Sequence, residues 1–225
     1  MKSGDARSPR IEALTGGDCD VILGSEGRLE AGVAGILEEV MIMRSALIVV
    51  DMLDDFVDGA LKNRASEEII EPIAELASRV RGRRHWVVIY ANDAHREDDV
   101  ELRVLPPHAM AGTPGARVIG DLAPQPGDVV VEKRFYSAFT ETALAEVLGA
   151  RDVGRLVLVG QHTDCCVRHT SYDAFSRGLD LVVCPDATTV FEPGSEEPVS
   201  VRQKRALWYL RTYYGASLEP STAVA

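Results

Sequence analysis

"RLVLVGQHTDCCVRHTSYDAFSRGLDLVVC" runs from Arg155 to Cys184. An apolar run, "RLVLVG", stops at a glycine. A helical stretch follows Thr163, and a second apolar run, "DLVVC", closes the segment. Two short strands joined by a helix lie parallel, and strands this continuously apolar are buried on both faces. The same alternation extends outward. "ALIVV" (46–50) precedes a helix predicted over 66–81, with Ser66 as its N-cap and Ile69, Ile70, Ile73, Leu76, Ala77 and Val80 as its apolar stripe. "WVVIYA" (86–91) and "DVVVEK" (128–133) follow, with a helix predicted from 140 to 148 and a last one from 196 to 210. The pattern predicts an α/β fold: an open, mainly parallel sheet with helices on both faces, in three layers.

Residues 1–43 lack this pattern. They are rich in Gly, Asp and Glu and offer one candidate helix, "EGRLEAGVAGILEEVM". They read as a flexible leader, or as residues ahead of a true start at Met41 or Met43; an arm against a partner subunit is the alternative. The domain is expected over 44–225.

The chain has 225 residues and a formal net charge of -11, which argues against nucleic acid or an anionic membrane as partner. No apolar run spans a bilayer, and the N-terminus lacks a secretory apolar core. Four cysteines in a chain this long are expected to be free thiols in a cytoplasmic protein. There is no P-loop, and no GxGxxG follows the first strand.

In open parallel sheets the site lies beyond the carboxyl ends of the strands. Asp51, then Asp93 and His95, then Lys133, then Cys165 and Cys166, then Asp186 follow successive strands. This set suits a cysteine nucleophile. A free thiol, with pKa near 8.5, is mostly protonated at neutral pH. A helix N-terminus and the Lys133 ammonium favour the thiolate, and a buried Asp51 has its pKa raised toward that of a useful base. Asp93, His95 and His108 form an oxygen–nitrogen set able to hold a divalent metal with open positions.

"ALIVVDMLDDF", "EKRFYSAFTETALAEVL" and "VGQHTDCCVRHTSYDAFSRGLDLVVCPDAT" resemble the isochorismatase-like cysteine hydrolases, and nicotinamidases among them, over Ser45 to Gly215. The resemblance implies a catalytic triad of Asp51, Lys133 and Cys166. Cys166 is the nucleophile because it directly precedes Val167 and heads the helix; Cys165 is a packing neighbour. It also implies a non-proline cis peptide between Gln161 and His162, with the His162 and Cys166 N–H groups as an oxyanion hole. A zinc or iron ion, with manganese a further option, would sit on Asp93, His95 and His108. Leu53, Ala94 and Leu105 stand where nicotinamidases carry a glutamine and two aromatics, so Phe56, Leu105, Phe135 and Tyr136 are the expected substrate contacts.

The expected activity is hydrolysis of a small carboxamide through a cysteine thioester, nicotinamide to nicotinate plus ammonia, by a homo-oligomer without an organic cofactor. The rivals are another C–N hydrolase acting on a carbamoyl or ureido compound, and a silent binding protein. His85, His162 and His169 are read as packing residues. The aromatic cluster of Trp208, Tyr209, Tyr213 and Tyr214 fits a core or a subunit interface.

Overall fold

The computed structural model describes residues 43–224; the helix expected at 26–41 and nearly all of the leader lie outside them. The sheet has six strands: β1 (Arg44–Val50), β2 (Trp86–Asp93), β3 (Val129–Lys133), β4 (Val153–Gln161), β5 (Asp180–Thr189) and β6 (Ser217–Leu218). Their order is β3-β2-β1-β4-β5-β6, and every pairing is parallel. β2 and β3 lie on one side of β1, and β4 to β6 on the other. The carboxyl ends of β1 and β4 therefore flank the point where the strand order reverses, the place where a crevice opens in such sheets.

Alternate β1 residues face opposite ways. Ala46, Ile48 and Val50 pack with Leu156, Leu158, Leu144, Val167 and Leu210. Leu47 and Val49 pack with Val157, Val159, Ile73, Leu76 and Val80. Both faces are thus covered, by α3 (Leu144–Gly149), α4 (Cys166–Ser176) and α5 (Val199–Tyr214) on one side and α2 (Ile70–Val80) on the other. Each fully buried aliphatic side chain contributes roughly 1.5–3 kcal/mol, so the strands read as apolar runs because both faces demand it. A short α1 (Asp54–Val57) follows β1.

Three expected helix starts are corrected. Ser66 is not an N-cap: it lies in a 3₁₀ turn over Arg64–Ile69, and its buried hydroxyl donates to Gln161 Oε1. The helix expected from 140 begins at Leu144, because Glu141 adopts a left-handed φ of 55° and Thr142 bridges Ala138 O and Leu144 N. The last helix is displaced to 199–214, entering after Pro198 and closing at left-handed Gly215. At Gly160, φ is 98° and a Cβ would meet Val50 O at 2.1 Å, so only glycine lets β4 pass β1 just below the crevice.

Candidate active site

Asp51 directly follows β1, Asp93 closes β2, Lys133 closes β3 and Cys166 opens α4 beyond β4. All four are buried. Lys133 Nζ lies 2.8 Å from Asp51 Oδ2, 2.5 Å from Asp93 Oδ1 and 3.7 Å from Cys166 Sγ. Asp51 Oδ1 accepts the Asp93 N–H at 2.8 Å.

One buried ammonium between two carboxylates splits their behaviour. Burial, and then the Asp93 charge, push Asp51 up to about 7 against the pull of Lys133. Burial also opposes the charge on Asp93, but Lys133 and His95 outweigh it and carry Asp93 down to about 2. Burial works against the Lys133 ammonium, yet the two carboxylates win and hold it well above its ordinary range. Cys166 shares a hydrogen bond with Cys165. That bond and burial raise Cys166 well above the usual thiol, and the attraction of Lys133 does not reverse this. The geometry therefore describes a neutral thiol beside a carboxylate tuned to take its proton near neutrality.

The peptide bond joining Gln161 and His162 is cis. The Gln161 side chain is a buried hub: it accepts from Asn63 Nδ2 (3.2 Å) and Ser66 Oγ (2.5 Å) and donates to Asp51 O (3.1 Å). It ties the β1 end to the β4 end, and with them Asp51 to the turn that carries Cys166. His162 is buried and edge-on to Phe56 and Phe191; burial drops its pKa to about 3, so it is neutral.

A metal-sized set lies beside this group. Ligand atoms of Asp93, His95 and His108 fall within 4.8 Å of one another. His95 Nε2 is buried with no hydrogen-bond partner. Asp93 Oδ2 stands 3.6 Å from it and Glu101 Oε2 3.7 Å. Burial and then Asp93 push Glu101 up to about 7, and the surrounding acids raise His95 despite its burial. Crowded acids aimed at an unpartnered imidazole nitrogen want a cation between them, so the residues fit a divalent metal.

The cavity above Cys166 measures about 260 Å³. Phe56, Leu61, Leu105, Tyr136 and Phe191 line it with apolar surface, and Cys165, Cys166, His108, His162, Asp93 and Glu101 also line it. Arg202 also reaches the wall, donating to Phe191 O and pairing with Asp164 at 2.8 Å.

A family model for the isochorismatase domain matches residues 45–210. The chain belongs to the isochorismatase family of hydrolases. Over 162 residues, 66% of this chain and 88% of the other, it is 38% identical to a Bacillus subtilis (strain 168) protein named as an uncharacterized isochorismatase family protein, PncA. N-carbamoylsarcosine amidase from Thermoplasma acidophilum superposes with a TM-score of 0.72 at 34% identity, over 81% of this chain and 99% of that one. Nicotinamidase/pyrazinamidase PncA from Bacillus subtilis superposes at 0.70 and 31%, over 78% and 99%. The pyrazinamidase of Pyrococcus horikoshii, crystallised in complex with zinc, superposes at 0.69 and 29%, over 79% and 99%.

Most sequence-derived candidates of this isochorismatase-family chain converge on one crevice; two do not. Phe135 is half-buried and does not line the cavity. Asp186 lies inside β5 and accepts the Ser221 N–H and hydroxyl, so it braces the C-terminal segment instead of facing the crevice. Cys165 is more than filler: it lines the cavity, and its shared bond with Cys166 lowers it to about 6. Glu101, Asp164, Phe191 and Arg202 also line the cavity, and nothing in their local sequence marks them: loop paths bring in the first three, and the start of α5 brings in Arg202.

Proposed function

We propose that the chain is a metal-containing cysteine amidase that hydrolyses nicotinamide to nicotinate and ammonia. The observation that carries this reading is Lys133 Nζ between Asp51 and Asp93, with Cys166 Sγ 3.7 Å away and Cys166 lining a small, mostly apolar cavity. A single-ring carboxamide suits about 260 Å³ with aromatic walls.

Cys166 Sγ attacks the carboxamide carbon as its proton moves to Asp51. The carbonyl oxygen becomes an oxyanion, held by the N–H groups of His162 and Cys166. Asp51 returns the proton to the nitrogen, the C–N bond breaks, and ammonia leaves a thioester on Cys166. Water then enters and gives a proton to Asp51 as its oxygen adds to the thioester carbon; the second tetrahedral species breaks its C–S bond, Asp51 returns the proton to Cys166 Sγ, and the acid is released. Lys133 keeps Asp51 and Asp93 in place and compensates their charge. Asp93, His95 and His108 would hold a divalent metal, zinc in our reading, with Glu101 facing it. When bound, the ion supplies a Lewis acid that orients a ring nitrogen or water. We also read 44–225 as the hydrolase domain behind a leader at 1–43, working as a cytoplasmic homo-oligomer.

The kinship with N-carbamoylsarcosine amidase raises a ureido acid as the other substrate class. Such a substrate brings a carboxylate. Here the cationic lining residue, Arg202, is already paired with Asp164. A neutral amide is favoured. Ammonia release from nicotinamide, pyrazinamide and N-carbamoylsarcosine tests this. Faster turnover of the pyridine and pyrazine amides is expected; preference for the carbamoyl acid would overturn it.

A further inference from the structure

His95 is the one ligand of the metal set whose ring is held by a side chain outside the set. Its Nδ1 lies 3.0 Å from Asp99 Oδ2, and both side chains are buried. An ionised carboxylate only accepts, so the His95 proton sits on Nδ1 and the Nε2 lone pair is free. That nitrogen is the buried, unpartnered atom facing Asp93 and Glu101. His108 is set the same way, by the Pro106 carbonyl 2.8 Å from its Nδ1.

Asp99 is itself fixed. Its Oδ2 also accepts the Arg96 N–H at 2.9 Å, and its Oδ1 accepts Arg134 Nε at 2.7 Å and a second guanidinium N–H. Asp99 further precedes the 3₁₀ turn Val100–Arg103 that carries Glu101, and its carbonyl accepts the Leu102 N–H. Arg134 is the residue after Lys133. One strand end therefore aims a lysine at Asp51 and Asp93 and, one residue later, an arginine at the loop holding His95, Glu101 and His108.

We propose that Asp99 and Arg134 are positioning residues that preset the His95 tautomer and clamp the metal-binding loop to the end of β3. The proposal rests on the metal reading given above. An outer carboxylate of this kind orients an imidazole ligand and raises its basicity, and its loss typically weakens metal binding 10- to 100-fold. Ordinary ion pairing would explain Arg134 against Asp99 alone. It would not explain why the other carboxylate oxygen is spent on the His95 nitrogen that must not bind the ion.

The test is zinc affinity of the full-length protein, measured by competition with a chromophoric chelator, beside the Co²⁺ absorption bands and the melting of the metal-free form. Asp99→Ala should weaken zinc at least about 10-fold and change the Co²⁺ bands. Asp99→Asn should fall between it and wild type, because an amide oxygen still accepts but carries no charge. Arg134→Gln should weaken zinc less than Asp99→Ala. Asp98→Asn, whose side chain is 84% exposed and 3.6 Å from Arg134, should leave affinity unchanged. Zinc affinity of Asp99→Asn and Arg134→Gln within about threefold of wild type would overturn the proposal, as would lower melting of the apo variants with unchanged affinity. A wild type that takes up no stoichiometric zinc would instead overturn the metal reading itself. Should Asp99→Ala not fold, Asp99→Asn and Arg134→Gln carry the test.

Discussion

Replacing Asp51 with asparagine keeps shape and removes only the charge and the titration. Asparagine Oδ1 can still accept the Asp93 N–H that Asp51 takes at 2.8 Å, and Lys133 keeps its 2.5 Å partner in Asp93. The fold should survive. What disappears is the group that takes the Cys166 proton and hands it to the leaving nitrogen. Help of this kind is worth roughly 10²–10⁴-fold, so kcat should drop by at least about 100-fold, or about 2.7 kcal/mol at 1.36 kcal/mol per tenfold. The pH profile makes the claim sharper. With Asp51 raised to about 7 by burial and the Asp93 charge, its ionised form is halved near that pH. It falls about tenfold for each further unit of acidity, because protonation destroys the base. In metal-saturated wild type the ion offsets part of the Asp93 charge and burial remains, so kcat/KM should bend downward on the acid side at a pH between the ordinary carboxylate range and about 7. The residual activity of Asp51→Asn should show no such bend. Ammonia release at fixed zinc, from pH 5 to 9, reads both. An asparagine variant with near-normal kcat, or with the same acid limb, would refute the role given to Asp51.

Cys166→Ala should reduce turnover to background while Cys165→Ala keeps most of it, measured as ammonia release; equal losses would mean the wrong sulfur is assigned. His108→Ala should lose bound metal by elemental analysis, since its Nε2 is the free nitrogen left after the Pro106 contact; unchanged metal content would remove it from the set. A chain beginning at Met43 retains all the strands and candidate site residues described above, and should remain soluble and active; precipitation, or a changed oligomeric state on gel filtration, would give the leader a structural role.

The central strands were legible because both of their faces are buried, which leaves no polar positions to break runs such as "ALIVV" and "LVLVG". The rim residues Asp51, Lys133 and Cys166 were legible because parallel strands deliver their next residues to a common edge. The same rule misled at Asp186: β5 runs past it to Thr189, with a register shift opposite Leu158 and Gly160, so the apolar run ends before the strand does. Ser66 looked like a cap because caps and buried hydroxyls share residue types; Gln161, 95 positions away, decides its role. Glu101 and Arg202 look like solvated charges in sequence. Their place at the cavity depends on the path of the loop after β2 and on where α5 begins, and neither leaves a periodic signal.

The proposed reaction turns on a covalent acyl intermediate on Cys166. Rapid quenching of the enzyme during turnover of nicotinamide, followed by intact mass and peptide mapping, tests it directly. A nicotinoyl adduct is expected on the peptide holding Cys166, formed with one equivalent of ammonia and absent from Cys166→Ala. Ammonia release with no adduct on Cys166, and undiminished in Cys166→Ala, would contradict it.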